Sequence, residues 1–285
     1  MASDPNLLQI LILAIVQGAG ELLPVSSSAH VIVAEKLMGL DPTAPQLTLL
    51  LVMLHTGTMF SVIAYFWKSW RATYFASIQA FRINALTVVV ATMATAVVGL
   101  SLQQLIKHVI VADAAGFEIE QLFGNTRLIA VALAAAGVLI IVSSRARESD
   151  PDGLSLKKAT WIGAVQGVCL PFRGFSRSGA TISTALILGM SRRFAEEFSF
   201  ALAVVLTPPV IIKEVYRLYT AQSAIVTPNA GRFLHLAGPS LIGMVFAFLA
   251  GLVALRWLSR WLEIGRWHYF GGYCLVASVA VLWLA

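Results

Sequence analysis

Charge is what this chain has little of. Asp, Glu, Lys and Arg make up 12% of its 285 residues, against a hydrophobic share of 58%, whereas soluble globular domains carry about 25% charged residues. With a mean hydropathy of +0.82, that shortage excludes an ordinary soluble domain and predicts an integral membrane protein. Cysteine is nearly absent too. Cys169 and Cys274 lie in apolar surroundings with no Cys-x-x-Cys and no Cys/His cluster, which excludes a disulfide framework or metal–thiolate centre and leaves two buried small side chains. A basic stripe with interleaved aromatics is also missing. The net charge of +6 comes from residues scattered at the ends of apolar segments, so it reads as membrane topology rather than a nucleic-acid surface. The start, Met1 to Asn6, carries an acid and no basic stretch, so no cleaved signal peptide is expected.

What is abundant is apolar sequence in runs near the roughly 20 residues a bilayer demands. Six windows are expected to span: Leu47 to Trp67, Asn84 to Ile106, Leu128 to Val142, Phe198 to Ile212, Leu234 to Leu255 and Tyr269 to Ala285. Two further stretches, Leu7 to Leu40 and Ala159 to Met190, are broken in the middle by Gly, Pro, Ser and charged residues. Each predicts two short helices that dip into the membrane and return, which requires a polar cavity to satisfy the broken backbone. The breaks correspond: Val16-Gln17-Gly18 is echoed by Val165-Gln166-Gly167, each followed by Pro and a Ser-rich turn. One broken segment and then three spans, twice, predicts an all-α polytopic protein built as an inverted repeat, with halves 1–145 and 146–285 in one integral membrane domain.

Lys and Arg in short loops orient such a protein. One side collects Lys68, Arg71, Arg82, Arg145, Arg147, Lys157, Lys158, Arg192, Arg193, Arg256, Arg260 and Arg266, and the other Lys36, Lys107, Arg127, Lys213, Arg217 and Arg232. The first side is expected to be cytoplasmic. Both termini and the loop from Lys107 to Asn125, with Asp113, Glu118 and Glu120, then lie outside.

Against that background two polar loops stand out, because an ionised residue at the centre of a span costs roughly 2.5–3.5 kcal/mol on insertion scales. In the first, Gln17 and Glu21 are four apart and share a helix face, where a carboxylate and an amide oxygen can hold a hard divalent cation completed by waters and substrate oxygens. The alternative is a hydrogen bond to a neighbouring helix. Pro24 ends that helix, and Ser26, Ser27 and Ser28 open the next, with His30 in its first turn. Hydroxyl, imidazole and free backbone N–H groups together can attack, move protons for and stabilise a phosphoryl group, although a Ser triplet on its own can be only a cap.

The second loop repeats the logic with a permanent cation. Gly174 and Gly179 allow close backbone approach, Ser176, Ser178 and Thr181 supply hydroxyls, and Arg177 offers a fork that pairs bidentately with phosphate. Arg173 adds charge nearby, unless it snorkels to the interface. A diphosphate suits such a pair of loops. His55, inside a span, either lines the cavity or packs, and packing is the preferred reading. Glu196 and Glu197 beside Arg192 and Arg193 read as an interfacial ion-pair patch, and His108, His235 and His268 as interfacial.

At these loops the chain resembles the bacterial undecaprenyl-diphosphate phosphatase family of the bacitracin-resistance type. The first signature is Glu or Gln, three residues, Glu, then Pro-Val-Ser-Ser ending in His, matched by Gln17, Glu21, Pro24 to Ser27 and His30. The second is Pro-Gly-x-Ser-Arg-Ser-x-x-Thr, matched from Gly174 to Thr181, and Glu197-Phe198-Ser199-Phe200 is similar as well. Arg173 stands where the pattern has Pro, which loosens the turn, and Gln17 leaves Glu21 the only acid of its pair.

The resemblance implies hydrolysis of the terminal phosphate of undecaprenyl diphosphate, recycling the lipid carrier of cell-wall glycan synthesis in the bacterial inner membrane, with the cavity opening to the periplasm. It implies Glu21, Ser27, His30 and Arg177 as catalytic residues, Gln17 and Glu21 on Mg²⁺ or Ca²⁺, and Ser26, Ser28, Arg173, Gly174, Ser176, Ser178 and Thr181 on the substrate. Attack by Ser27, by His30 or by water stays open, as does a homodimer. A transporter or flippase is the competing class, since broken helices in inverted repeats also serve alternating access. The other membrane phosphatase type, with Ser-Arg-x5-His, fails because Ser183 stands six past Arg177.

Overall fold

The computed structural model describes residues 5–40, 45–110, 125–150, 153–223 and 230–283. The acidic loop with Asp113, Glu118 and Glu120 lies outside the described residues, as do the side chains of Ser28 and His235. Among the described residues the chain is helical and has no strand. Each broken stretch is two short helices: α1 (Leu7–Leu22) and α2 (Ser27–Leu37) in the first, α6 (Leu156–Cys169) and α7 (Arg177–Ile187) in the second. Between these pairs come α3 (Pro45–Thr73), α4 (Ile78–Leu105, extended by a π turn to Ile110) and α5 (Thr126–Ser143), and after them α8 (Arg192–Ser223), α9 (Ala230–Glu263) and α10 (Trp267–Trp283).

Among the described residues, four segments are long and apolar enough to cross a membrane: Leu47–Thr73, Ile78–His108, Thr126–Ser143 and Gly238–Glu263. They coincide with four of the six expected windows. The other two windows fall on α8, which begins with Arg192, Arg193, Glu196 and Glu197 and contains Pro208 and Pro209, and on α10, only 17 residues long.

Helix α4 shows what the surroundings are. Its buried residues are Thr87, Ala91, Thr95 and Gly99, while Leu86, Val89, Met93, Val97 and Leu100 are all more than half exposed. Small and polar inside, large and apolar outside, is the reverse of a water-soluble helix and the pattern of one that faces lipid and packs through small residues. This is a multi-pass membrane protein.

The chain divides into two compact units. The first comprises Met1–Leu22, Ser27–Phe66 and Ala203–Trp257. Its core gathers Ile10, Leu13 and Ala14 of α1, Val31 of α2, Leu47, Leu50 and Leu54 of α3, and Ala247 of α9. Close helix approach is made by small residues, for a Cβ on Gly18 would stand 2.7 Å from Ala250 Cβ and 2.8 Å from the Ala247 carbonyl.

The second unit comprises Leu23–Ser26, Trp67–Leu202 and Leu258–Ala285. There α4 packs on α6 and α5 on α10. Gly163 lies against the backbone of Ala91. The Thr95 hydroxyl reaches the carbonyls of Ala91 and Gly163, each at 2.9 Å, and receives a 3.0 Å hydrogen bond from Gln166 Nε2. Gly137 and Gly271 face each other across α5 and α10, and Ser278 Oγ donates to the Ala130 carbonyl at 2.7 Å. These bonds replace the hydrophobic drive that helices lack in lipid.

Candidate active site

Within the first unit, side chains meet at one carboxylate oxygen. Glu21 sits in the last turn of α1 and Ser27 is the first residue of α2. Ser27 Oγ donates to Glu21 Oε2 at 2.7 Å, and Gln17 Nε2 donates to the same oxygen at 3.3 Å. Gln17 is buried at 1% exposure, so the i, i+4 pair expected from the sequence is formed. The Ser27 contact depends on a neighbour with no side chain: a Cβ on Gly20 would stand 3.0 Å from Ser27 Cα and 3.3 Å from its Cβ. His30, three residues on and half-buried, lies on the same side of α2 as Ser27.

His55, expected to pack, instead faces the Glu21 carboxylate. Its Nε2 stands 3.8 Å from Glu21 Oε2, and its Nδ1 lies 2.8 Å from the Leu51 carbonyl. A carbonyl only accepts, so Nδ1 carries a hydrogen and Nε2 is the nitrogen turned to the carboxylate. No sequence spacing links residues 21 and 55; only the packing of α1 on α3 does.

In the second unit, Gly174 has φ +104 and a Cβ there would lie 2.5 Å from the Ile129 carbonyl, so this turn both needs and admits only glycine. Ser176 caps α7, its Oγ accepting from the Gly179 N–H at 3.2 Å. Arg177 therefore occupies the first helical position, half-buried, where helix N–H groups and a guanidinium favour the same anion. The turn Leu23–Ser26 belongs to this unit and packs on the loop. The Ser178 hydroxyl donates to the Leu23 carbonyl at 3.4 Å, a Cβ on Gly179 would meet Pro24 at 3.2 Å, and the Cys274 thiol donates to the Pro24 carbonyl at 3.1 Å. Ser26 has φ +65, a left-handed conformation costing a non-glycine residue on the order of 1–3 kcal/mol and typical of functional turns.

Thr181 is fully buried; its hydroxyl donates to the Arg177 carbonyl at 2.9 Å and pairs with Ser199 Oγ. It thus ties the first turn of α7 to α8, and Ser199 is a contact the spacing did not reveal. Arg173 is half-buried.

The ion-pair patch on α8 is only half as expected. Glu197 pairs with Arg193 Nε at 2.8 Å and accepts from Ser69. Glu196 does not join it. It is 4% exposed and accepts from Ser259 Oγ at 2.6 Å, while Arg192 donates to the Glu263 carbonyl. Burial pushes the Glu196 carboxyl up to about 8, the Ser259 hydrogen bond opposing and the charges of Glu263 and Glu197 adding to the shift.

Among the described residues no group of three or more His, Cys, Asp or Glu gathers as a ready cage for a metal. Around Glu21 Oε2 stand the Gln17 amide nitrogen and the Ser27 hydroxyl, both donating to it, so a hard divalent ion there would draw on Glu21 and complete its shell mainly with waters and substrate oxygens.

Fold and loops together define the class: an all-helical, multi-pass membrane protein whose polar groups are concentrated at two interrupted helix pairs. A family profile described as "Bacitracin resistance protein BacA" matches residues 10–280, and the chain belongs to that family. It is 61% identical, over the whole of both chains, to "Undecaprenyl-diphosphatase 2" of Acinetobacter baylyi. It is 31% identical to "Undecaprenyl-diphosphatase 2" of Burkholderia ambifaria over 96% of this chain and 95% of that one. Similarity extends to "Undecaprenyl-diphosphatase" of Korarchaeum cryptofilum, at 30% over 96% and 97% of the two chains.

Proposed function

We propose that this protein hydrolyses undecaprenyl diphosphate to undecaprenyl phosphate and inorganic phosphate. The observation that carries the chemistry is the 2.7 Å hydrogen bond from Ser27 Oγ to Glu21, a nucleophile within reach of a base. Ser27 Oγ attacks the terminal phosphorus as its proton passes to Glu21. The bond from that phosphorus to the bridging oxygen breaks, and undecaprenyl phosphate leaves. His30, one turn along α2, serves the water that cleaves the phosphoserine and releases phosphate. Arg177 pairs with the equatorial oxygens, where charge is stabilised in phosphoryl transfer. Ser26, Ser28, Arg173, Ser176 and Ser178 hold the diphosphate, while Gly174 and Thr181 shape the loop that does so.

Glu21 and Gln17 would hold Mg²⁺ or Ca²⁺, which supplies positive charge against the diphosphate. That both loops serve one headgroup is what the resemblance to the phosphatase family implies. The polyprenyl tail stays in lipid. Six spans and two re-entrant pairs in inverted halves, in the bacterial inner membrane with the cavity toward the periplasm, give the headgroup a wet site and the tail a dry one. Recycling of the carrier then feeds cell-wall glycan synthesis and opposes bacitracin, with a homodimer as the further assembly to test.

Phosphate release from undecaprenyl diphosphate by purified protein in detergent, with and without EDTA, tests this alongside Glu21→Ala and Arg177→Ala. Metal-dependent release that both substitutions abolish is expected. A wild-type protein that binds the lipid and releases nothing would instead be a carrier.

A further inference from the structure

The turn between α3 and α4 has no part in the scheme above, yet it gathers cations and exposed rings in one short stretch. From Pro42 to Ala112 the chain contains no Asp or Glu. Lys68 and Arg71 stand near the end of α3 and Arg82 near the start of α4, all three exposed. Among the described residues none of them is paired with an acid. Glu197, which reaches α3 through Ser69, is held by Arg193 Nε at 2.8 Å. Beside the cations runs a row of rings: Phe75 lies 6.4 Å from Trp67 and stacks on Phe81 at 5.7 Å. Each of these rings is about half exposed, and Ile78 is 74% exposed. The turn is fixed, because Ser77 Oγ accepts from the Ala80 N–H at 3.0 Å and Asn84 Nδ2 donates to the carbonyls of Ala80 at 2.8 Å and Thr73 at 3.4 Å. Both flanking helices are apolar enough to span. At a rise of 1.5 Å per residue the three cations therefore lie within about 8 Å of the turn along the helix axes, the headgroup level of a bilayer, where aromatic and basic side chains of spans collect.

Helical spacing decides what the patch takes. Arg82 is four residues before Leu86 and so heads the stripe Leu86, Val89, Met93, Val97 and Leu100, the exposed face by which α4 meets lipid. A molecule with an apolar chain on that stripe carries its polar end to Arg82. We propose that the α3–α4 turn binds an anionic glycerophospholipid, its phosphate on Arg82 with Arg71 and Lys68, its glycerol region on the Trp67–Phe75–Phe81 row and an acyl chain along the α4 stripe. A guanidinium pairs bidentately with phosphate. Three cations with no acid among them select a headgroup of net negative charge over one whose own cation neutralises its phosphate. This site is independent of the phosphatase reading.

The test is native mass spectrometry of delipidated full-length protein titrated with phosphatidylglycerol and, separately, with phosphatidylcholine of the same acyl chains. Wild type is compared with the triple variant Lys68→Gln/Arg71→Gln/Arg82→Gln and with a control triple, Arg145→Gln/Arg147→Gln/Lys157→Gln, which removes equal charge from exposed positions between α5 and α6. Expected are a preference of wild type for phosphatidylglycerol and a loss of about fivefold in that affinity per cation removed from the turn, the worth of one Lys or Arg at an anionic surface. The control triple should keep the preference, and Trp67→Ala should weaken both lipids alike. Equal binding of the two lipids by wild type overturns the proposal. So does a control triple that loses as much as the turn triple, since net charge alone would then explain the preference. Unchanged phosphatidylglycerol affinity in the turn triple, with an altered oligomeric state, overturns it too and gives the patch to a second copy of this chain. An unchanged affinity in Trp67→Ala removes the rings from the site. If the turn triple does not purify as a folded protein, Arg71→Gln and Arg82→Gln decide singly: each must lower phosphatidylglycerol affinity about fivefold, and no change in either overturns the proposal.

Discussion

At the scale of single residues, the chemistry depends on a few atoms held by short-range sterics. Ser27 meets Glu21 because Gly20 leaves space for it, so Gly20→Ala is expected to lower phosphate release even though it adds only a methyl group. Ser27→Ala, which removes the hydroxyl and keeps the backbone, should cost roughly 10²–10⁴-fold, the range of positioned acid–base and nucleophilic groups; initial rates of phosphate release measure it. Gly174→Ala meets a different obstacle. Its φ of +104 and the Ile129 carbonyl at 2.5 Å leave no place for a Cβ, and a cost of about 1–3 kcal/mol is expected, visible as a lower thermal midpoint in detergent. Gln17, Glu21, Ser27, Ser176 and Arg177 were legible as candidates from residue type and spacing, because helix periodicity and capping are local rules. His55 was not, since 34 positions and a loop separate it from Glu21.

At the scale of helices, α4 shows how this protein is held together. Thr95 and Gly163 form a small-residue seam closed by hydroxyl bonds, so Gly163→Leu should prevent folding, assayed as loss of monodisperse protein after extraction. Leu86→Ala, on the exposed face of the same helix, should leave the thermal midpoint nearly unchanged.

Helix α8 carries a pH signature. Glu196 precedes the expected span at Phe198 and is buried, with its carboxyl raised from 4.5 to about 8. The folded protein holds that proton where the unfolded chain has released it, so stability falls as pH rises from about 4.5 to about 8 and levels off above. Glu196→Gln should remove this slope and raise the midpoint at pH 8 while matching wild type near pH 4; thermal unfolding across that range measures it. From sequence alone Glu196 and Glu197 looked equivalent, because adjacency along a chain does not say which partner each side chain of a helix meets. Both are buried, and their partners divide them: Glu197 pairs with Arg193 and Glu196 accepts from Ser259.

At the scale of the whole molecule, orientation is the testable property. On the proposed orientation, which the Lys and Arg bias of the loops supports, single cysteines introduced at Lys157 and Arg266 are expected to react with a membrane-impermeant maleimide only from the cytoplasmic side. A cysteine at Asn6 should react from the periplasm. The opposite labelling would invert the site.

The sequence by itself determined that this chain is helical and membrane-spanning, and where its helices break, because hydropathy, proline and Ser-rich turns act over a few residues and need no partner. It also marked the two loops, because charge in an apolar chain is costly wherever it falls. Tertiary structure alone decided which face of α4 meets lipid, that Ser178 anchors the Pro24 turn, that Thr181 is spent on Ser199, and that His55 points at Glu21. Each of those is a contact between segments distant in the chain. Such contacts are set by how small residues let helices approach, and no local pattern records them.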